Sequence, residues 1–184
     1  PTVDPGITTA RVQVIHNSAD DAASVVDVWL NDALLLDDFS FRTASPFIDA
    51  PAGEEFTIAI KGPNSQDPSN PIWSNNYTLQ SNKTYVLIAN GIVSSTGYNP
   101  SEPFNIYVND MGRESANSGG NTDVLVFHGS TDAPAVYVVE TGAGAGILID
   151  DITYGDYRGY LELPTNNYQL SITDESGTAI VAVF

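Results

Sequence analysis

A histidine, a serine and an aspartate stand at alternate positions in "VIHNSADDAA" (residues 14–23), and again in "VFHGSTDAPA" (residues 126–135). His16 and His128 are the only two histidines in the chain. A serine nucleophile, a histidine base and an aspartate that orients the base make a hydrolytic triad. The spacing argues against that chemistry. In an extended strand, residues two apart share a face at roughly 6–7 Å. A triad needs contacts near 3 Å and a separate oxyanion hole, and neither stretch carries a Gly-x-Ser-x-Gly elbow. The favoured reading is a turn built twice. The strand ends at the histidine, Ser18 and Asp20 (Ser130 and Asp132 in the second stretch) bond local backbone amides, and the imidazole bonds a neighbouring loop. Ligand contact through His16, Ser18, Asp20, His128, Ser130 and Asp132 is the next reading, and catalysis the last.

Acidic pairs are the second candidate chemistry. Asp37-Asp38 and Asp150-Asp151 occupy matching places in two similar segments, "LLLDDFSF" and "ILIDDITY", and Asp20-Asp21 is a third pair. Calcium takes six to eight oxygen ligands, which sandwich loops can supply, but no EF-hand spacing is present. Strand parity predicts one solvated aspartate per pair and the other near a strand end. Zinc is disfavoured, because the two histidines lie far apart with no recognised ligand spacing. The third candidate is aromatic. "TYGDYRGY" (153–160) is the densest stretch, and Tyr154 and Tyr157 could stack on sugar rings. Tyrosine on a strand face or core edge is the plainer reading.

The elements that must position these residues are strands. Val12 and Val14 alternate with polar neighbours, and "VVDVWL" (25–30), "FTIAI" (56–60), "TYVLIA" (84–89) and "FNIYV" (104–108) are β-branched and aromatic. Turn-rich segments such as "KGPNSQDPSNP" separate them, and no segment carries a helical stripe longer than about ten residues. In "VVDVWL", Val26, Val28 and Leu30 share one parity and Asp27 and Trp29 the other, which leaves the buried face undecided. The pattern predicts an all-β protein of tandem immunoglobulin-like antiparallel β-sandwich domains.

The order of segments repeats. "RVQVIHNSAD" aligns with "DVLVFHGSTD" without gaps, and "FIDAPAGEEFTIAI" answers "YLELPTNNYQLSI". We expect a flexible lead-in over 1–9, a first copy over 10–112, a polar Gly/Ser/Asn linker over 113–122 and a second copy over 123–184. After Ile60 three strand candidates follow, whereas after Ile172 only "TAIVAVF" does. The second copy is therefore expected to lack its last strands. They would be supplied by a continuation of the natural chain or by another chain through strand pairing.

The stretch from "RVQVIHNSADDAASVVDVWLND" through "APAGEEFTIAI", "SNKTYVLIANG" and "FNIYVNDM" resembles the DUF4397 family. Departures are Ala19 and Tyr137, where the family favours Pro and Asp, and an insertion around Ala22–Ser24. The resemblance implies a secreted bacterial β-sandwich, often in tandem, with no assigned chemistry.

Bulk properties narrow the function classes. The 184 residues carry 6 Lys+Arg against 23 Asp+Glu, for a net charge of −17. The deficit runs through both halves, which excludes nucleic acid and disfavours anionic membrane surfaces. There is no cysteine, so disulfides and thiol chemistry are absent. No run of residues has the length and apolarity of a membrane helix. The opening "PTVDPGITTA" reads as a mature or trimmed start behind a targeting segment. These features predict a non-enzymatic extracellular or cell-surface binding, adhesion or structural module, freely secreted or lipid-anchored. Its expected partners are a surface glycan or protein. The alternatives are a calcium-rigidified spacer in a longer surface protein, which would make calcium the one cofactor, and a carbohydrate-active enzyme using paired carboxylates.

Overall fold

The computed structural model describes residues 8–174, 176–177 and 180–183. The chain divides into two compact units, 1–114 and 115–184. Of the expected lead-in, residues 1–7 lie outside the described residues.

The described residues of the first unit form nine strands: β1 (Thr9–His16), β2 (Val25–Leu30), β3 (Ala33–Ser40), β4 (Thr43–Ala44), β5 (Ile48–Pro51), β6 (Glu55–Lys61), β7 (Trp73–Thr78), β8 (Thr84–Asn90) and β9 (Asn105–Asn109). One sheet runs β4-β1-β8-β9, with β5 also on β1, and the other runs β3-β2-β6-β7. Their facing side chains make one core. Val12 and Val14 from β1 and Leu87 and Ala89 from β8 meet Val26 and Val28 from β2 and Phe56, Ile58 and Ile60 from β6. Each large aliphatic side chain so buried contributes roughly 1.5–3 kcal/mol. The period-two pattern is clearest in β1, where Ala10, Val12, Val14 and His16 are all buried. The strands pair antiparallel with one exception, β1 with β8, which run parallel with Val12 opposite Tyr85 and Val14 opposite Leu87. A parallel neighbour cannot follow through a hairpin, and six strands intervene here.

Strand β2 settles the question its sequence leaves open. Val26 and Val28 face the core. Asp27 and Trp29 are also buried, on the opposite face. The long β6–β7 connection covers them: Ser65 accepts from the Trp29 indole at 2.8 Å and donates its hydroxyl to Asp27 at 2.6 Å.

The second unit contains β10 (Asn121–Phe127), β11 (Val136–Glu140), β12 (Gly146–Ile152), β13 (Tyr157–Pro164), β14 (Leu170–Thr173) and β15 (Ile180–Val183). β10 pairs with β13, and the other sheet runs β12-β11-β14-β15. Val136, Val138, Ile149 and Ile152 form its buried centre, flanked by Val126, Leu161 and Ile172. The pairings β1–β5, β2–β3, β2–β6 and β6–β7 of the first unit have counterparts in β10–β13, β11–β12, β11–β14 and β14–β15. Residues at the end of the expected linker belong to this unit, since the Asn117 amide donates to Asp123 at 3.0 Å and β10 begins at Asn121.

Candidate functional site

The loop after β1 is a clamp. His16 is buried between the rings of Phe39 and Phe41, with centroids 6.0 and 6.1 Å away. Its Nε2 lies 2.7 Å from the carbonyl of Ala23, and its Nδ1 lies 3.4 Å from the amide of Ser18. An amide can only donate and a carbonyl only accept, so this pattern fits the neutral tautomer carrying its proton on Nε2. Burial pushes the imidazole below its ordinary value, against the smaller opposing pull of the Ala23 carbonyl.

Ser18 and Asp20 act over long range, where the sequence predicts local turns. The Ser18 hydroxyl donates to the Gly91 carbonyl at 2.6 Å. Asp20 Oδ2 accepts the amides of Val93 at 2.9 Å and Ser94 at 2.6 Å. Its Oδ1 takes the Ser94 hydroxyl at 2.8 Å and, as the one local bond, the Ala22 amide at 2.9 Å. Burial works against the Asp20 charge, but these donors overcome it and hold the carboxyl below the usual carboxylate range. Gly91 is required where it sits: its φ is +98°, and a Cβ there would lie 2.5 Å from the Pro103 carbonyl oxygen. The side chains of His16, Ser18 and Asp20 thus bond the segments they tie together, and no two of these side chains bond each other as a relay.

In the second unit His128 is buried and its Nε2 lies 2.9 Å from the Pro134 carbonyl, as His16 does from Ala23. Ser130 and Asp132 differ. Both are exposed, and the Ser130 hydroxyl donates to Asp132 at 2.9 Å.

Asp37-Asp38 and Asp150-Asp151 sit on bulges toward the ends of β3 and β12, and both members of each pair are exposed where strand parity predicts one, whereas Asp20-Asp21 lies outside the strands with Asp20 buried and Asp21 exposed. Register shifts between Val26 and Val28 and between Val136 and Val138 place Asp37-Asp38 opposite Asp27, and Asp150-Asp151 opposite Tyr137. Asp38 and Asp151 take left-handed conformations, φ +48° and +45°, which aspartate tolerates better than most residues. That gives the recurring pair a conformational cause. Among the described residues only the first pair gains a third carboxylate: oxygens of Asp27, Asp37 and Asp38 lie within 4.8 Å of one another. Asp27 accepts from the Asp38 amide at 2.9 Å and from the Ser65 amide at 2.7 Å, besides the Ser65 hydroxyl. Burial opposes its charge, and these bonds lower its pKa nonetheless.

The aromatic stretch packs inward. Tyr157 lies against Phe127 at 4.9 Å between centroids and Tyr154 against His128 at 6.4 Å, and both tyrosines are half-buried. An open groove lies elsewhere, on the outer face of the second unit. Tyr137, Val139, Thr141, Ile147, Ser171 and Thr173 line it. The first unit covers the corresponding face with its β6–β7 connection.

Glu140 was missed in the sequence. It is buried, and its carboxylate accepts the amides of Gly142, Ala143, Ala145 and Gln169 at 2.7–3.2 Å. The Ala143 and Ala145 amides are the main cause of a pKa pushed down to about 2. The signal was present: an acidic residue ends a strand and is followed by the glycine-rich "TGAGAG", a loop of small residues whose amides can converge.

A search of curated proteins finds no match to this sequence. The family model for a domain of unknown function, DUF4397, matches residues 10–139, a span that holds β1 through most of β11. With more than two thirds of its length matched, the chain belongs to the DUF4397 family.

Proposed function

We propose that this protein is a non-catalytic module of two tandem β-sandwich copies, working outside the cell as a structural or adhesive element that binds a surface glycan or protein. The observation that carries this reading is the buried clamp. The first of the two His-x-Ser-x-Asp sets has its polar side-chain atoms committed to holding loops to a strand. The shared pairing pattern of the two units and the repeated histidine contacts, to Ala23 and to Pro134, support duplication. A surface poor in cation and rich in carboxylate supports a soluble display role. The open groove beside Tyr137 and Ile147 is where such a ligand would bind. The test is a panel of glycans and hydrolase substrates offered to the purified chain and to a Ser18→Ala variant. The reading expects binding without turnover, and turnover abolished in the variant overturns it.

A second reading, a calcium-rigidified spacer, is favoured by the convergence of Asp27, Asp37 and Asp38. It expects millimolar calcium to raise the melting temperature of the first unit after EDTA treatment, by linkage. An unchanged melting temperature removes it.

A further inference from the structure

The turn that joins β3 to β4 lies against the clamp. Phe41 stands edge-on to His16, with ring centroids 6.1 Å apart, and the Arg42 amide donates to the His16 carbonyl at 2.8 Å. The second unit builds the same turn. Tyr154 stands edge-on to His128 at 6.4 Å, and the Gly155 amide donates to the His128 carbonyl at 2.9 Å. The backbone is left-handed at both positions, φ +63° at Arg42 and +84° at Gly155. Glycine adopts that conformation freely. In an arginine it crowds the Cβ against the backbone. The first unit thus carries a strained residue where the second shows that glycine suffices, and strain kept at one position points to a use for the side chain.

The same side chain is set apart by its charge. Arg11, Lys61, Lys83 and Arg158 each face a carboxylate, at 2.5–3.8 Å. Arg42 is exposed in a chain of net charge −17, yet its guanidinium makes no ion pair or hydrogen bond with the described residues. Its Cζ lies over the Phe41 ring, 5.1 Å from the centroid, and that ring is braced in turn by buried His16. A guanidinium held over an aromatic face loses little freedom on binding, and its fork of N–H donors matches a carboxylate.

We infer that Arg42, on its Phe41 support, binds the carboxylate of an acidic sugar at the end of an otherwise neutral glycan. The single charge of the ligand follows from the charge of the protein. One guanidinium without an acidic partner matches one acid group, and a polyanion would be repelled by the carboxylates around it. The sugar follows from the neighbours of Arg42 in the same turn. The Ser40 and Thr43 hydroxyls donate to the carbonyls of Asp38 and Ser40, which leaves their oxygens as acceptors for ring hydroxyls. A sugar acid carries its charge and its hydroxyls on one small ring, whereas an acidic peptide side chain offers the charge alone. The inference rests on the reading of this protein as a glycan-binding module and names the class of sugar.

The probes are neutral oligosaccharides, each offered with and without one terminal glucuronate. They are titrated into the full chain and followed by calorimetry and by the arginine Nε–Hε signals in NMR spectra. The glucuronate forms should bind about tenfold tighter or more, the scale of a charge-assisted bond. They should also shift the Arg42 signal and lose affinity as salt rises. Arg42→Gly gives the turn the residue that the second unit has. It should remove the preference for glucuronate and leave the unfolding midpoint of the first unit unchanged or higher. A midpoint that falls assigns the arginine a structural role and overturns the inference. A preference that survives Arg42→Gly overturns it as well, and so does tighter binding of a short peptide with a single glutamate. Glycans that bind equally with and without glucuronate remove this site alone and leave the module reading standing. A chain that binds neither form removes both.

Discussion

Asp20 and Ser94, 74 residues apart in sequence, are joined twice: the Ser94 amide donates to Oδ2 at 2.6 Å and its hydroxyl to Oδ1 at 2.8 Å. With the Val93 amide on the same carboxylate, this contact fastens the loop after β1 to the segment after β8. The wider relevance of the His-x-Ser-x-Asp pattern lies here, in a carboxylate that caps a distant turn.

Asp20→Asn keeps the shape and replaces one acceptor oxygen by a donor that faces the amides. We expect a loss of about 2–3 kcal/mol, the scale of charge-assisted bonds in a buried site, read as a lower denaturation midpoint for the first unit. Asp132→Asn, on an exposed counterpart, should leave the second unit's midpoint within about 0.5 kcal/mol.

The imidazole of His16 is held neutral by burial. The unfolded chain therefore binds a proton more readily than the folded one. Stability from this group is fully present above the ordinary histidine value of about 6.5 and falls as pH drops below it. Urea unfolding of the first unit between pH 8 and pH 5 should show this decline. A His16→Asn variant that still folds should show a flatter profile. An unchanged profile would mean that the carboxylates alone set the dependence.

Glu140 carries the opposite charge type with the same sign of effect. Its carboxyl is depressed to about 2 by four amides, so its contribution is present above the unfolded glutamate value, about 4.3, and lost as pH falls toward 2. Carboxylate NMR should find Glu140 still ionised at pH 3. Glu140→Gln should loosen residues 141–146 and remove this part of the second unit's acid transition.

Gly91→Ala tests the clamp from its other side. The left-handed φ and the approach of the Pro103 carbonyl leave no room for a methyl group. The expected cost is about 2 kcal/mol or more. Gly97→Ala, at φ +96° but with open space around it, is the control that separates backbone strain from collision.

Much of this fold is written in local pattern. β2 and β8 lie where β-branched and aromatic runs fall, because alternation and side-chain shape are properties of neighbouring residues. The sequence was silent where the cause is distant. Trp29 and Asp27 are buried by an eleven-residue segment, 62–72, whose composition is that of a loop. The partners of Asp20 lie 73 and 74 residues away, beyond the reach of any turn rule. The aspartate pairs were read by strand parity, which fails at a bulge, since an extra residue resets the alternation. Parallel pairing of β1 with β8 is likewise a matter of topology, not of either strand's residues.

That parallel pair sets an order of events. β1 leads the first unit, yet its longest pairing is with a strand more than sixty residues later, and the clamp cannot close until Val93 and Ser94 have been made. A chain emerging from the ribosome can form the β2-β3 hairpin at once, but β1 must wait with one edge bare. Closing so long a loop costs entropy before it returns contacts. This unit should fold late and as a whole, with its first strand the part most in need of protection while synthesis continues.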